Sequence, residues 1–350
     1  MKRYVSTWLC VDPTGEESQY SQMKLKGSSS SKSFLEIYWK NITVFFITCK
    51  KFNDNVEFRL YTNAVVPKYI GNFNFDLFLN DFNVEVIHVE FSYRTPSGYY
   101  SGWRNQFFEF SIFENIVSNS FDDNDLHLLL DSDCIFTGSL APLWNKAKLN
   151  GYLTYKIPYN DDKYINGLNR IQLKKVFEEL LNTNIPELPE YFGGEFYLTS
   201  ILHMRTIVHE FKQLWPILLD RHANNKAKFN EEAQTLSYIY FKHNFIFSEA
   251  NDFIKRLWTQ PFIHRNVEPV DKEKLIWHLP HEKKYGIISI FNKLTKNPKY
   301  SLDLTNERFI NVLSYYSTVP NIPFWIYISR IIPIQLVRVS YYFLKKATII

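Results

Sequence analysis

The sequence predicts an α/β fold, with a mostly parallel central sheet flanked by helices and a helical appendage at the C-terminus. Two observations carry this. Through the first 160 or so of the 350 residues, short apolar β-branched runs alternate with longer segments whose apolar positions recur at helical spacing. The run Leu126 to Leu130 has four leucines in five residues and is bounded by acids on both sides, as a strand buried on both faces requires.

In chain order, Tyr4 to Val11 reads as a strand cut off by Asp12 and Pro13, and a polar loop with Ser28, Ser29, Ser30 and Ser31 follows. Phe34 to Lys51 is a helix by length, although Ile42 to Thr48 alone would read as β. Val56 to Tyr61 is a strand ending in Thr62 and Asn63, Phe73 to Asn83 a helix and Val84 to Val89 a strand. After the turn at Pro96 to Gly98, the segment Gly102 to Asn119 carries Trp103, Phe107, Phe108, Phe110, Phe113, Ile116 and Val117, largely at helical spacing, and leads into the leucine strand. Later elements are a strand at Tyr152 to Ile157, a helix at Ile171 to Leu181 and a strand at Glu195 to Thr199. Helices at Leu202 to Asp220 and Glu231 to Phe241 and a last strand at Leu275 to His278 complete the series. No internal repeat is present. The expected division is a body over 1–290 and a basic, aromatic extension over 291–350.

Composition narrows the class. Hydrophobic residues at 45% and aromatics at 17% exclude disorder as the main state. A net charge of +4 from 40 basic and 36 acidic side chains excludes a dedicated nucleic-acid binder. Cys10, Cys49 and Cys134 form no CxxC pair and are odd in number, which points away from a disulfide framework or cysteine zinc site and fits a reducing cytoplasm. The apolar stretch behind Lys2 and Arg3 is too short for a signal peptide.

The chemistry concentrates at Leu128-Leu129-Leu130-Asp131-Ser132-Asp133. A parallel sheet binds ligands beyond the carboxyl ends of its strands, and Asp131 sits there. If the extended geometry persists, side-chain period two puts Asp131 and Asp133 on one side, able to share one cation. Their oxygens are hard ligands suited to Mg²⁺ or Mn²⁺, ions commonly shared with substrate phosphates. A bare D-x-D triplet is usually a solvated loop; its place directly behind a buried strand sets this one apart.

Three further blocks follow. In Tyr191-Phe192-Gly193-Gly194-Glu195-Phe196-Tyr197-Leu198 the two glycines allow either a close approach to a ligand or an ordinary tight turn. In Phe229-Asn230-Glu231-Glu232-Ala233-Gln234, Asn230 is a helix N-cap with acids in the first turn. In Ile276-Trp277-His278-Leu279-Pro280-His281-Glu282-Lys283, His278 and Lys283 stand five positions apart.

With these blocks the chain resembles the GT-A glycosyltransferases, most closely the metal-dependent group that includes glycogenin and bacterial lipopolysaccharide galactosyltransferases. The resemblance spans roughly Tyr4 to Gly286. It implies Mn²⁺ or Mg²⁺ held by Asp131, Asp133 and His278, with Asp131 and Ser132 also facing the nucleotide sugar and Lys283 touching the diphosphate. It places Gly193 and Gly194 beside the donor sugar, makes Glu195, Glu231 and Glu232 the catalytic candidates, and sets Thr7, Trp8 and Thr62 where the sheet would hold base and ribose. Arg104 opens the helix before the D-x-D strand, where the family often has a basic residue; a solvated face is the alternative. The sequence departs from type with Pro280 and His281 where the family has Gly and Pro, and Lys284-Tyr285 where Pro-Trp is usual, so His281 is a rival ligand.

The implied activity is hexosyl transfer from a nucleotide-diphosphate sugar to a saccharide or glycolipid acceptor, in bacterial surface-polysaccharide synthesis at the cytoplasmic side. The resemblance leans to retention of configuration, which the separation of reacting groups would decide. A haloacid-dehalogenase-like phosphatase also places D-x-D after an apolar strand, but its motif continues with Gly-Thr near the start of the domain, whereas Cys134-Ile135 follows here. A non-catalytic carbohydrate-binding protein on a degenerate transferase fold is the other alternative.

The tail has no acid after Glu307, and sets Arg308, Arg330, Arg338, Lys345 and Lys346 among Trp325, Tyr327, Ile331, Ile332, Tyr341, Tyr342 and Phe343. Arg330, Pro333, Gln335 and Arg338 interrupt the roughly 20 apolar residues a membrane span needs. Either this surface docks on anionic lipid, or it packs on the body or in a dimer.

Overall fold

A computed structural model describes the chain except residues 14, 19–28, 101, 103, 246–249, 262–263, 297–301, 334–335 and 337–350. Ser28 and Trp103, named above, therefore lie outside the described residues. The chain opens with β1 (Arg3–Leu9), α1 (Lys32–Phe52) and β2 (Glu57–Thr62), and passes a short hairpin of β3 (Tyr69–Ile70) and β4 (Phe73–Asn74). It returns through α2 (Phe75–Asp81) to β5 (Val84–His88). A 3₁₀ turn at Arg104–Phe107 opens α3 (Phe108–Ser118), which leads into β6 (Leu126–Leu130) and β7 (Cys134–Phe136). Then come α4 (Ala141–Asn150), β8 (Tyr152–Leu153), α5 (Arg170–Leu181), β9 (Phe196–Ser200), α6 (Ile201–Ala223) and α7 (Glu232–His243). The last part holds β10 (Ile254–Arg256), β11 (Thr259–Gln260), β12 (His264–Arg265), β13 (Ile276–His278), α8 (Gly286–Leu294) and α9 (Asn306–Ser317).

The main sheet runs β5-β2-β1-β6-β9-β8. Its first four strands are mutually parallel, as the alternation predicts, while β9 runs antiparallel to both β6 and β8. That reversal places the site, because the start of β9 meets the end of β6: Leu130 faces Phe196 on one side and Thr7 on the other. A second sheet, β10-β13-β7, stands beside this point.

Local surprises have physical causes. The β-like composition of Ile42 to Thr48 sits inside α1 because every residue there is buried, and a helix buried all round reads as apolar throughout. The Thr43 and Thr48 hydroxyls donate to the Trp39 and Val44 carbonyls, so neither is left unsatisfied. The helix expected from Phe73 starts at Phe75, because Phe73 and Asn74 pair with β3 and Asn74 accepts from the Leu77 N–H as cap. The strand expected to reach Ile157 stops at Leu153; beyond it Tyr155 and Ile157 exchange backbone bonds with the 191–193 turn instead.

The core is strongly aromatic. Phe110 of α3 stacks on Phe211 of α6 at 3.5 Å and 7°, and Phe113 on Tyr197 of β9 at 4.1 Å. Each such fully buried ring is worth about 2 to 3 kcal/mol over an exposed one. Residue 290 lies within α8, whose Ile287, Ile290 and Leu294 are buried, and Phe309 and Leu313 of α9 join the same core. Among the described residues no helix is long and apolar enough to cross a membrane.

Candidate active site

The D-x-D pair converges by a route other than extended strand. The Cys134 N–H donates to the Asp131 carbonyl at 3.0 Å, closing a turn directly after β6, and this turn aims both carboxylates the same way. The second sheet brings the rest. Cys134 pairs with His278 on β13, and His278 with Arg256 on β10, so three short strands deliver Asp133, His278 and Arg256 side by side. From the other flank the Asp131 N–H donates to the Glu195 carbonyl at 3.3 Å, drawing Gly193, Gly194 and Glu195 up to the carboxylates.

His278 Nε2 lies 3.5 Å from Asp131 Oδ2 and 3.4 Å from Asp133 Oδ2, and one ligand atom from each residue falls within 4.8 Å of the others. Both carboxylate oxygens of Asp133 and Nε2 of His278 are buried and make no hydrogen bond. Ion pairs of 3.3 to 3.5 Å with one another and with Lys283 are all that these atoms meet, contacts longer than a good hydrogen bond that a bound cation would replace, so the residues present fit a divalent ion. Two carboxylates and one imidazole suit Mn²⁺ better than the all-oxygen set Mg²⁺ prefers. His281 is outside the group and packs against the Tyr285 ring at 5.3 Å.

Charge around the trio is finely opposed. Burial works against ionisation of Asp133, but Lys283, whose Nζ is 3.3 Å from Oδ2, and His278 outweigh it and bring its pKa to about 2. Asp131 is pushed up by burial and by the charge on Asp133. Burial would lower His278, yet Asp133 and Glu195 raise it to about 9. The site is therefore built around charge, and a cation there displaces a proton.

Glu195 is fully engaged. Its Oε1 accepts from Arg256 Nε at 2.6 Å and sits 3.1 Å from His278 Nδ1, while Arg256 Nη1 reaches the Tyr159 hydroxyl at 2.8 Å. Burial opposes its charge, but Arg256 and His278 hold its pKa well below the usual carboxylate range. A carboxylate on Nδ1 orients the ring so that Nε2 faces the Asp pair, the usual support for a metal-binding histidine.

Glu231 and Glu232 open α7. Glu231 accepts from the Tyr191 hydroxyl and the Asn166 amide; burial lifts its pKa to about 7 in spite of those bonds. Glu232 has one oxygen without a partner and is pushed well up by burial and by Glu231. Gly194 lies against it so closely that a Cβ at 194 would strike the Glu232 carboxylate, which gives this glycine a steric reason. Asn230 does not cap the helix as expected. Glu231 takes the N-cap position, and the Asn230 amide donates to the Asn166 carbonyl at 2.9 Å.

Of the remaining sequence candidates, Trp8, Ser132 and Lys283 line a narrow slot with Phe34, Tyr38 and Gln106 beside Asp131. The Thr7 and Thr62 hydroxyls are turned into the sheet, donating to the Leu130 and Leu9 carbonyls at 2.9 and 2.7 Å. Arg104 is turned to Thr95 and the Glu16 carbonyl. Sequence reasoning missed Arg256, Tyr38 and Glu109. Glu109 is a buried acid on α3 with an unpartnered oxygen, pushed well up by burial, Glu232 and Asp131; one acid inside the apolar run Phe107 to Phe113 was its visible signal.

A second cleft of about 220 Å³ joins these groups, lined by Asp131, Glu195, Glu231, Glu232, Arg256 and His278 among others. No family model and no curated protein matches the chain. Solved structures it is similar to include glycosyltransferases. The apo form of mouse xyloside xylosyltransferase 1 matches at a TM-score of 0.44 and 11% identity, over 79% of this chain and 97% of that one. An active-site mutant of LgtC matches at 0.44 and 10%, over 79% and 86%. The galactosyltransferase LgtC in complex with donor and acceptor sugar analogs matches at 0.42 and 11%, over 92% and 98%. These are likenesses of outline, and what this chain can do rests on its own side chains.

Proposed function

We propose that the chain is a metal-dependent GT-A-type glycosyltransferase that moves a hexose from a nucleotide-diphosphate sugar to a saccharide or glycolipid acceptor, in bacterial surface-polysaccharide synthesis. What carries the reading is the trio of Asp131, Asp133 and His278 at the carboxyl end of a central strand, with ligand atoms of Asp133 and His278 buried and joined only by long ion pairs. Bound Mn²⁺ or Mg²⁺ would supply Lewis acidity to the departing diphosphate. Lys283 adds a positive charge at the same end, and the aromatic slot of Trp8, Phe34 and Tyr38 suits a nucleobase beside Asp131. Positive charge growing on the sugar is met by oxygens of Glu231 and Glu232: burial keeps Glu232 protonated, so it offers a carbonyl lone pair, while Glu231, with a pKa of about 7, supplies the partial negative charge. Glu195 then orients His278 and does not touch the sugar, because Arg256 and His278 occupy it.

Residues 1–290 form the catalytic body in this reading, and 291–350 an extension. The extension both packs and docks. Arg330 turns inward to the buried Glu282 at 2.8 Å, while Phe324, Trp325, Ile328 and Ile332 stay exposed at helical spacing. Such a face suits insertion into the inner leaflet of an anionic membrane. Arg338, Tyr341, Tyr342, Phe343, Lys345 and Lys346 lie outside the described residues. Replacing Phe324 and Trp325 with glutamate abolishes co-sedimentation with anionic vesicles; unchanged sedimentation defeats the docking proposal.

The test of the activity is Asp133→Ala. It removes Mn²⁺-dependent turnover of nucleotide sugars while the folded circular-dichroism spectrum persists, and full turnover in added Mn²⁺ refutes the assignment.

A further inference from the structure

Beyond Arg256 the catalytic cleft opens into a larger groove of about 440 Å³, and Tyr159, Arg256 and Trp258 line both. Five basic side chains line the groove against two acids. The two acids are both taken by one lysine: Lys255 Nζ lies 3.1 Å from Glu268 Oε2 and 2.9 Å from Asp271 Oδ1. Arg256 is matched by Glu195.

The other three cations have no acidic partner among the described residues. Arg265 is held by the Thr318 and Pro320 carbonyls at 2.9 and 2.7 Å, and Lys274 by the Asn251 carbonyl at 2.8 Å. Carbonyl dipoles fix these groups in place without cancelling their charge. Burial pulls the Arg265 pKa down, against the more distant charge of Glu282, which Arg330 already pairs. Lys163 is exposed, with Nζ over the Tyr159 ring at 5.1 Å. Fixed cations in a concave, partly desolvated wall concentrate the field on an anion that enters.

The same wall carries the partly exposed Trp258, a ring with an apolar face and a polar edge that accepts the face of a sugar ring, beside Tyr159, whose ring lies under Lys163. We propose that this groove holds the acceptor and that the acceptor is an anionic saccharide, its carboxylate or phosphate lying among Lys163, Arg265 and Lys274. This rests on the transferase reading for the role of the groove, while the binding itself is independent of transfer.

Calorimetric titration of the full chain with a glucuronic-acid-terminated trisaccharide, a hexose 1-phosphate and neutral maltotriose tests it. At least one charged probe binds about tenfold or more tighter than maltotriose, and the better of the two tells carboxylate from phosphate. Raising salt weakens the charged probe alone. Lys163→Glu, a change at an exposed side chain, cuts the preference about threefold or more, and adding Lys274→Met cuts it further. Charged probes that bind no tighter than maltotriose overturn the proposal, as does a preference untouched by Lys163→Glu. So does binding to anionic vesicles that Lys163→Glu abolishes while every soluble saccharide is ignored. Stabilisation by UDP, GDP, ADP and dTDP with Mn²⁺ is measured in parallel: its absence with all four sinks the transferase reading, whereas charged-saccharide binding in its absence leaves the groove proposal standing.

Discussion

Two buried histidines sit near opposite ends of the strand that carries the site, and their surroundings set them in opposite states. His127, near the start of β6, is stacked on Tyr4 at 4.3 Å, with Arg59 over the far side of that ring and no hydrogen bond to either ring nitrogen. Burial, helped by the charge on Arg59, drives its pKa down to about 3. His278, beside the other end, is as deeply buried yet raised to about 9, because Asp133 and Glu195 overcome the same penalty. Depth alone decides nothing; acids within reach turn a ring that stays neutral into one that holds its proton.

The sharpest way to break this contrast is to treat the two ends alike. Asp133→Ala lowers transfer by roughly 1000-fold or more while the chain still unfolds cooperatively, as turnover assays and thermal melts measure. Equal losses of activity and stability would mean that the two ends do the same job. Next in size is the pH dependence at the other end. Below about pH 6.5 the unfolded His127 takes a proton that the folded one refuses until about pH 3, so stability falls as pH drops through that window. His127→Phe keeps the ring and removes on the order of a few kcal/mol of this slope, read from urea melts between pH 3 and 7, with transfer intact at neutral pH.

A smaller effect sharpens the catalytic side. Glu195→Gln weakens Mn²⁺ binding by about 10- to 100-fold in calorimetry, and Glu195→Asp restores part of it. If Glu195 instead touched the sugar, turnover would drop with Mn²⁺ affinity unchanged. The least effect is at the stack: Tyr4→Leu costs about 1 kcal/mol of stability and nothing in Mn²⁺ binding.

How far the site could be read in advance follows the same division. Four leucines before two acids announced β6 and the carboxylates because complete burial on two faces leaves a plain mark in composition. The five-residue step from His278 to Lys283 survived into space because a tight turn keeps both beside Asp133. Arg256 left no such mark: it arrives through a three-residue strand in parallel register with His278, and register between distant short strands is not written in either of them. Thr7 and Thr62 look like ligand-facing hydroxyls in one dimension, but in the folded sheet they satisfy neighbouring carbonyls. Asn230 has the right side chain for a cap, one residue too early for the helix it precedes.

The link between Arg330 and Glu282 reaches further than its place near the surface suggests. Glu282 also accepts from the Gly286 N–H and the Thr259 hydroxyl, and it adjoins Lys283 in sequence. A chain ending before residue 330 would strand that carboxylate in the interior without its guanidinium, a loss that at a buried pair runs to about 3 to 5 kcal/mol. The last stretch thus acts as a keystone for the loop bearing Lys283, since the carboxylate that Arg330 matches lies one residue away from that lysine.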